Sequence, residues 1–156
     1  MKLIKVCYYD WGDNKPTDFP IIQYPKTQAN NIEYSGFYTN QVLNLYSDVM
    51  KSKKIGKINW SQNYLIETDL KNSTSQDFDQ ETVMLVFEDG NILFNSIRTY
   101  DKITNGFLRD TNRYMNNIIQ GTGKYVNLRG KIAYQRLSLN NELRKIEIYK
   151  ECKCCH

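Results

Sequence analysis

The stretch Ile119–Gly130, IQGTGKYVNLRG, decides how the rest of the chain is read. Its glycines at 121, 123 and 130 stand close to Lys124 and Arg129, a composition shared with loops that cradle phosphate. A Walker-type loop needs four residues between its glycines, then Gly-Lys-Ser/Thr, with a strand before it and a helix behind. Here only Thr122 separates Gly121 from Gly123, and Tyr125-Val126-Asn127-Leu128-Arg129-Gly130 leads into a strand pattern. The dinucleotide fingerprint fails too, because Tyr125 and Val126 come next with no third glycine. What remains is a tight corner between strands of a barrel, where positive φ or close backbone approach excludes a side chain at Gly121, Gly123 and Gly130.

The composition fits that reading. The chain has 156 residues, one domain's worth, with 40% hydrophobic and 13% aromatic content. The aromatic share, 12 Tyr and 6 Phe beside the tryptophans, leans toward strands. A net charge of +4 from 21 basic and 17 acidic residues spread along the chain is too mild to mark a nucleic-acid partner. The basic run Lys51-Ser52-Lys53-Lys54 reads as a solvated turn. No apolar run approaches the roughly 18–20 residues of a membrane helix, so no membrane span is expected. Met1–Asp10 is too short and too polar for a signal peptide. The glycosylation-type triplets at Asn59 and Asn72 then carry little weight, and a cytoplasmic location is expected.

Of the four cysteines, Cys152, Cys154 and Cys155 crowd into the last five residues with His156, leaving Cys7 as the one distant partner. Structural zinc takes ligands from separated pairs, so that binding closes a loop. The tail, residues 151–156, therefore reads as a reduced, frayed end, and no metal is expected. His156 is the sole histidine, which leaves Ser-His-Asp and Cys-His mechanisms without a base in the body of the chain.

Residues 1–40 open on a short apolar run (Leu3, Ile4, Val6) and then hold all three prolines, Pro16, Pro20 and Pro25. They read as an N-terminal strand or arm with proline-containing loops, able to wrap the main domain or touch a neighbour. Residues 41–150 read as strands. Gln41–Asp48 and Ile55–Ile66 alternate, the second placing Ile58, Trp60, Tyr64 and Ile66 on one face. Residues 70–80, LKNSTSQDFDQ, read as a polar loop. Thr82–Glu88 and Asn91–Ile97 flank Asp89-Gly90, a type I′ turn signal that predicts Phe87 opposite Ile92 and Leu85 opposite Phe94. Both faces of this hairpin are apolar, as expected of a barrel wall covered outside by another chain or by the arm. Lys131–Leu137 and Leu143–Tyr149 are two further strands turned by Asn140-Asn141. Periodicity leaves Arg109–Ile119 open between helix and strand. The sum is an all-β barrel or sandwich.

GTGKYVNLRG also resembles the GGTGKF-x-x-x-RG signature of the plant dirigent proteins and the allene oxide cyclases. Leu45-Tyr46-Ser47-Asp48, followed by Lys53-Lys54-Ile55-Gly56, resembles their aliphatic-Tyr-Asp segment before an Ile/Val-Gly. Val86–Ile92 resembles their mid-barrel hairpin, and the matches span residues 41–137 in the same order. Gln120 stands where the signature has its first glycine, and Tyr125 where Phe is common. The resemblance implies an eight-stranded antiparallel, calycin-like β-barrel with an irregular N-terminal arm, a hydrophobic interior and assembly as a homo-oligomer. It also implies use of the interior without cofactor or metal. Allene oxide cyclases are isomerases, and dirigent proteins steer phenolic radicals or quinone methides.

Polar or aromatic residues within the strands are the catalytic candidates: Tyr64, Glu67, Arg98, Tyr100, Tyr134 and Arg136. Each has a plainer reading as wall packing or a solvated surface pair. Trp60, Tyr64, Leu85, Phe87 and Phe94 are candidates for lining a ligand cavity. Three functions are open: a barrel binding a small apolar molecule without catalysis, which the sequence favours; a cofactor-free isomerase, cyclase or dirigent-like protein; or a self-assembling structural barrel with a filled core.

Overall fold

The computed structural model describes residues 1–13, 21–101, 114–138 and 140–152, the side chains of residues 98–101 excepted. Its strands are β1 (Lys2–Asp10), β2 (Ile21–Gln23), β3 (Thr27–Ala29), β4 (Ile32–Tyr46), β5 (Lys54–Asp69), β6 (Thr74–Phe87), β7 (Gly90–Asp101), β8 (Tyr114–Gly121), β9 (Gly130–Arg136) and β10 (Leu143–Lys150). The hydrogen-bonded order is β1-β10-β9-β8-β7-β6-β5-β4, and every pairing is antiparallel. A bridge between Tyr8 and Tyr46 returns β4 to β1 and closes an eight-stranded barrel. The described residues contain no helix long and apolar enough to cross a membrane.

Two elements differ from the sequence reading, the first strand and the 70–80 segment. Leu3, Ile4 and Val6 do begin a strand, but β1 is a stave of the barrel, hydrogen-bonded along its length to β10. Among the described strands, the short β2 and β3 lie outside the barrel, both paired to β4, and Tyr24 between them reaches Asn63 with its hydroxyl. Among the prolines, Pro16 and Pro20 lie outside the described residues. The region expected as a loop, 70–80, turns at 70–73, where Asp69 accepts from the Lys71 and Asn72 amides, and becomes β6 from Thr74 onward. Residues 109–113 lie outside the described residues, and the strand β8 begins at Tyr114.

The central hairpin forms with its register moved by two: Phe87 pairs with Gly90, Leu85 with Ile92 and Val83 with Phe94, so Glu88-Asp89 makes the turn. A shift of two keeps every side chain on its expected face. The shift follows from the glycine corner. Thr122-Gly123-Lys124 lies directly on the hairpin turn, with Lys124 N donating to Asp89 O (2.8 Å), Thr122 N to Asn91 O (2.9 Å) and Asn91 N to Thr122 Oγ1 (3.0 Å). Gly123 adopts φ +56, and a Cβ there would collide with the Asp89 carbonyl. The corner is therefore a structural fit between two backbones, and these amides are committed to oxygens of the protein itself.

Alternation sets the inner wall. Cys7, Leu43, Leu45, Ile58, Leu85, Ile92, Ile132, Ile146 and Ile148 fill the half of the barrel nearest the corner, and all are buried. Lys5, at that end, donates from Nζ to the Tyr125 hydroxyl (2.8 Å), and the same ammonium lies over the Phe87 ring, 3.8 Å from its centroid, closing the floor with a cation–π contact. The outer face is not uniform. Val42, Met84 and Ile97 are exposed on the wall of β4–β7 amid uncharged Asn40, Asn59, Ser61 and Thr82. Elsewhere Lys51 ties the β4–β5 turn to the end of β1 through Asp10 (3.0 Å) and Asp13 (2.8 Å), so the basic run is not wholly solvated.

The filled half makes stability sensitive to alkali. Burial pushes the Cys7 thiol from an ordinary 9.0 up to about 12, the Lys5 charge pulling weakly the other way. The folded chain then keeps a proton that the unfolded chain releases, so stability is intact below pH ~9 and falls as pH climbs toward 12. Each pH unit in that window costs about 1.4 kcal/mol. Urea unfolding should show wild type losing about 1.4 kcal/mol more than Cys7→Ala between pH 8 and pH 10. Equal losses in the two proteins would show that the thiol is not held neutral. Tyr125, raised to about 12 by burial and then by the Asp89 charge, adds a loss of the same sign to both.

Candidate functional site

The other half of the interior is polar, and β6 makes it so. The strand runs Asp77, Asp79, Glu81, Val83, Leu85, Phe87 along its inner face, three carboxylates followed by three apolar residues. The carboxylates are 1%, 3% and 2% exposed. Burying a charge is tolerated only where hydrogen bonds replace water. The facing strands supply them: the Tyr64 hydroxyl donates to Asp77, Gln62 Nε2 donates to Asp79 Oδ1 (2.8 Å), and the Tyr134 hydroxyl lies 3.5 Å from Glu81 Oε2. Tyr134 also shares a 3.0 Å hydrogen bond with Ser96 on β7.

Aromatic rings wall this half. Phe37 stacks on Tyr64 (5.0 Å between centroids, 13° between planes), Tyr114 on Tyr134 (5.4 Å, 29°), and Trp11 meets Trp60 edge-on (4.5 Å, 67°). Exposure changes along the barrel as well. On the inner face of β5, Ile58 is 3% exposed, whereas Trp60, Gln62 and Tyr64 beyond it are only partly buried. The apolar half is sealed, and in the polar half solvent reaches the β5 wall while Thr39, Gln41, Ser96 and the carboxylates stay buried.

The sequence candidates divide accordingly. Tyr64 and Tyr134 both meet the acidic row. Arg136 shares their inner phase at the polar end of β9, where its Nη2 is 2.7 Å from Glu142 Oε1. Glu67 does not join them: it pairs in register with Tyr34 and Gln76, and its odd position on β5 turns it to the outer face. Arg98 and Tyr100 lie in register with Asp79 and Asp77, and their side chains are outside the described residues. Leu85, Phe87 and Phe94 belong to the buried apolar core, and Trp60 packs at its upper edge. Cys154, Cys155 and His156 lie outside the described residues, and Cys152 is an exposed free thiol. Among the described residues no group of three or more His, Cys, Asp or Glu is arranged to hold a metal ion.

The sequence reading misses the acidic row itself. Asp77 and Asp79 fall in a segment whose composition is polar throughout and reads as a loop. The available signal was period: Asp77, Asp79 and Glu81 continue the two-residue spacing of Val83, Leu85 and Phe87 without a break.

The molecule is thus a closed antiparallel barrel of the dirigent-like fold, with an acidic, aromatic-walled half inside it. Two solved structures share the architecture. A pterocarpan synthase dirigent protein matches with a TM-score of 0.57 at 13% identity, covering 94% of this chain and 84% of that one. A pyocyanin demethylase matches with a TM-score of 0.50 at 12% identity, covering 94% and 99%. At such identities the likeness is one of fold. No protein-family model and no curated protein matches the chain.

Proposed function

We propose that the polar half of the barrel takes up a small, largely aromatic molecule and moves a proton on it, with β6 carboxylates and the Tyr64 and Tyr134 phenols as the acid–base groups. The observation that carries this reading is the row Asp77, Asp79, Glu81, buried yet adjacent to solvent-reached aromatic walls. Non-catalytic holding of an apolar molecule would leave the row unexplained, since valines would line such a site at far lower desolvation cost. A purely structural barrel would have no use for it either, because buried ionic groups rarely improve on apolar packing. General acid–base catalysis needs a titratable group within hydrogen-bond reach of the reacting atom, shielded from bulk water, and that is what an acidic row in a protein-walled space offers. The names of the two fold neighbours, a pterocarpan synthase and a pyocyanin demethylase, support an aromatic substrate.

The test uses a panel of small aromatic ketones, phenols and nitrogen heterocycles, pyocyanin among them. Saturation-transfer NMR reads binding, and mass spectrometry with proton NMR reads conversion. Wild type should bind and convert at least one member. Ser96→Trp, which puts an indole against Tyr134 in the polar half, should retain the fold by circular dichroism and lose both signals. Binding that survives Ser96→Trp unchanged, or a panel with no ligand at all, would sink the proposal.

A further inference from the structure

The wall diametrically across the barrel from β6 is β10, with three strands between them in either direction around the closed order. It carries Arg144 in the inner phase set by Ile146 and Ile148, paired in register with Arg136 on β9. Two guanidinium groups side by side on one face repel each other, so the arrangement needs acceptors. One is Glu142 at the rim, 2.7 Å from Arg136 Nη2 and 3.4 Å from Arg144 Nη2. It is half-exposed and reaches Arg144 at the limit of a hydrogen bond. Arg144 is only 12% exposed, and its Nη1 is fully buried with no hydrogen-bond partner among the described residues. A guanidinium cannot shed its proton to escape the cost, and a buried charged donor without an acceptor is among the rarest features of a folded protein.

We infer that Arg144 holds the carboxylate of an aromatic acid, whose ring then lies between the aromatic walls and whose far end meets the acidic row. The inference rests on the proposed substrate-binding role of this half and adds the polarity of the ligand. The placement of the guanidinium pair sets the orientation: a carboxylate is drawn to Arg136 and Arg144 on β9 and β10, which turns the far end of the ligand toward β6 across the barrel. A hydroxyl or ring N–H at the other end of the ligand can donate to the acidic row. The fork of a guanidinium matches a carboxylate with two parallel hydrogen bonds, which an ester or alcohol cannot reproduce.

Matched probes test this on the unmodified protein: 4-hydroxycinnamate against its methyl ester, and benzoate against benzyl alcohol, with Kd from isothermal titration or ligand-observed NMR. The acids should bind at least tenfold more tightly than their neutral partners. Arg144→Met should erase that preference while neutral aromatic ligands of the panel still bind, and Arg144→Lys should restore part of it. Equal affinity of acid and neutral partner in wild type would overturn the inference and leave the barrel a binding site for other chemistry. Failure of every aromatic probe, acid or neutral, would overturn the binding role and the inference together. Should Arg144→Met fail to fold, the wild-type comparison still decides.

Discussion

Replacing Gly130 by alanine is expected to cost about 4 kcal/mol or more, enough to leave a domain of ordinary stability marginally folded. Gly130 opens β9 as a buried ladder residue opposite Lys150. A Cβ built there lands inside van der Waals contact with the Tyr149 carbonyl oxygen and close to Lys150 Cα. Both obstacles are backbone, so no rotamer change relieves them. Separating the strands would break the β9–β10 ladder that carries Ile132, Tyr134, Ile146 and Ile148 into the interior. Gly12→Ala is the matched control. Its added methyl meets only the Asp10 carboxylate, a side chain that can move, and the residue is exposed. Denaturant unfolding of both variants measures the difference. A loss below about 1 kcal/mol for Gly130→Ala would mean that the two strands are less closely apposed than the Tyr149 carbonyl contact requires.

Glu81→Gln should lower turnover of an accepted aromatic substrate by about 10²–10⁴-fold and leave its binding within a few-fold of wild type. The amide keeps the volume of the carboxylate and can still hydrogen-bond the Tyr134 hydroxyl, so packing against Ser96 and Tyr134 persists. What it removes is the capacity to accept or deliver a proton. The expected signature is a fall in kcat with KM nearly unchanged, which separates loss of chemistry from loss of the site. A Glu81→Gln enzyme with undiminished kcat would exclude Glu81 and pass the role to Asp79 or Asp77, whose own amide variants are then the measurement to make. A variant losing binding and turnover in proportion would assign Glu81 to holding the ligand.

How far the sequence reaches is visible in particular residues. Alternation in Gln41–Asp48, Ile55–Ile66 and Leu143–Tyr149 makes those strands legible, because burying one face of a pleated strand imposes a period of two. The corner at Gly121–Gly130 is legible as a corner, because only glycine admits the close approach that Asp89 and Tyr149 make. The turn signal Asp89-Gly90 falls one residue late, because Gly90 is spent on passing Thr122, a contact made more than thirty residues along the chain. Glu67 stands out in the sequence and Asp77 does not, although only Asp77 faces the interior. A polar side chain on a strand looks the same from either face, and composition alone cannot say which way it points.

The sequence by itself determined that this is a single β-rich chain without a phosphate loop, with a glycine corner of dirigent type. Local physics suffices for these, since period, turn chemistry and steric need act within a few residues. The tertiary structure alone decided that β1 closes the barrel through Tyr8 and Tyr46, that the interior divides into an apolar and an acidic half, and that Arg144 stands across from the row on β6. Those facts depend on which strand faces which around a closed sheet, and closure is a property of all eight strands at once.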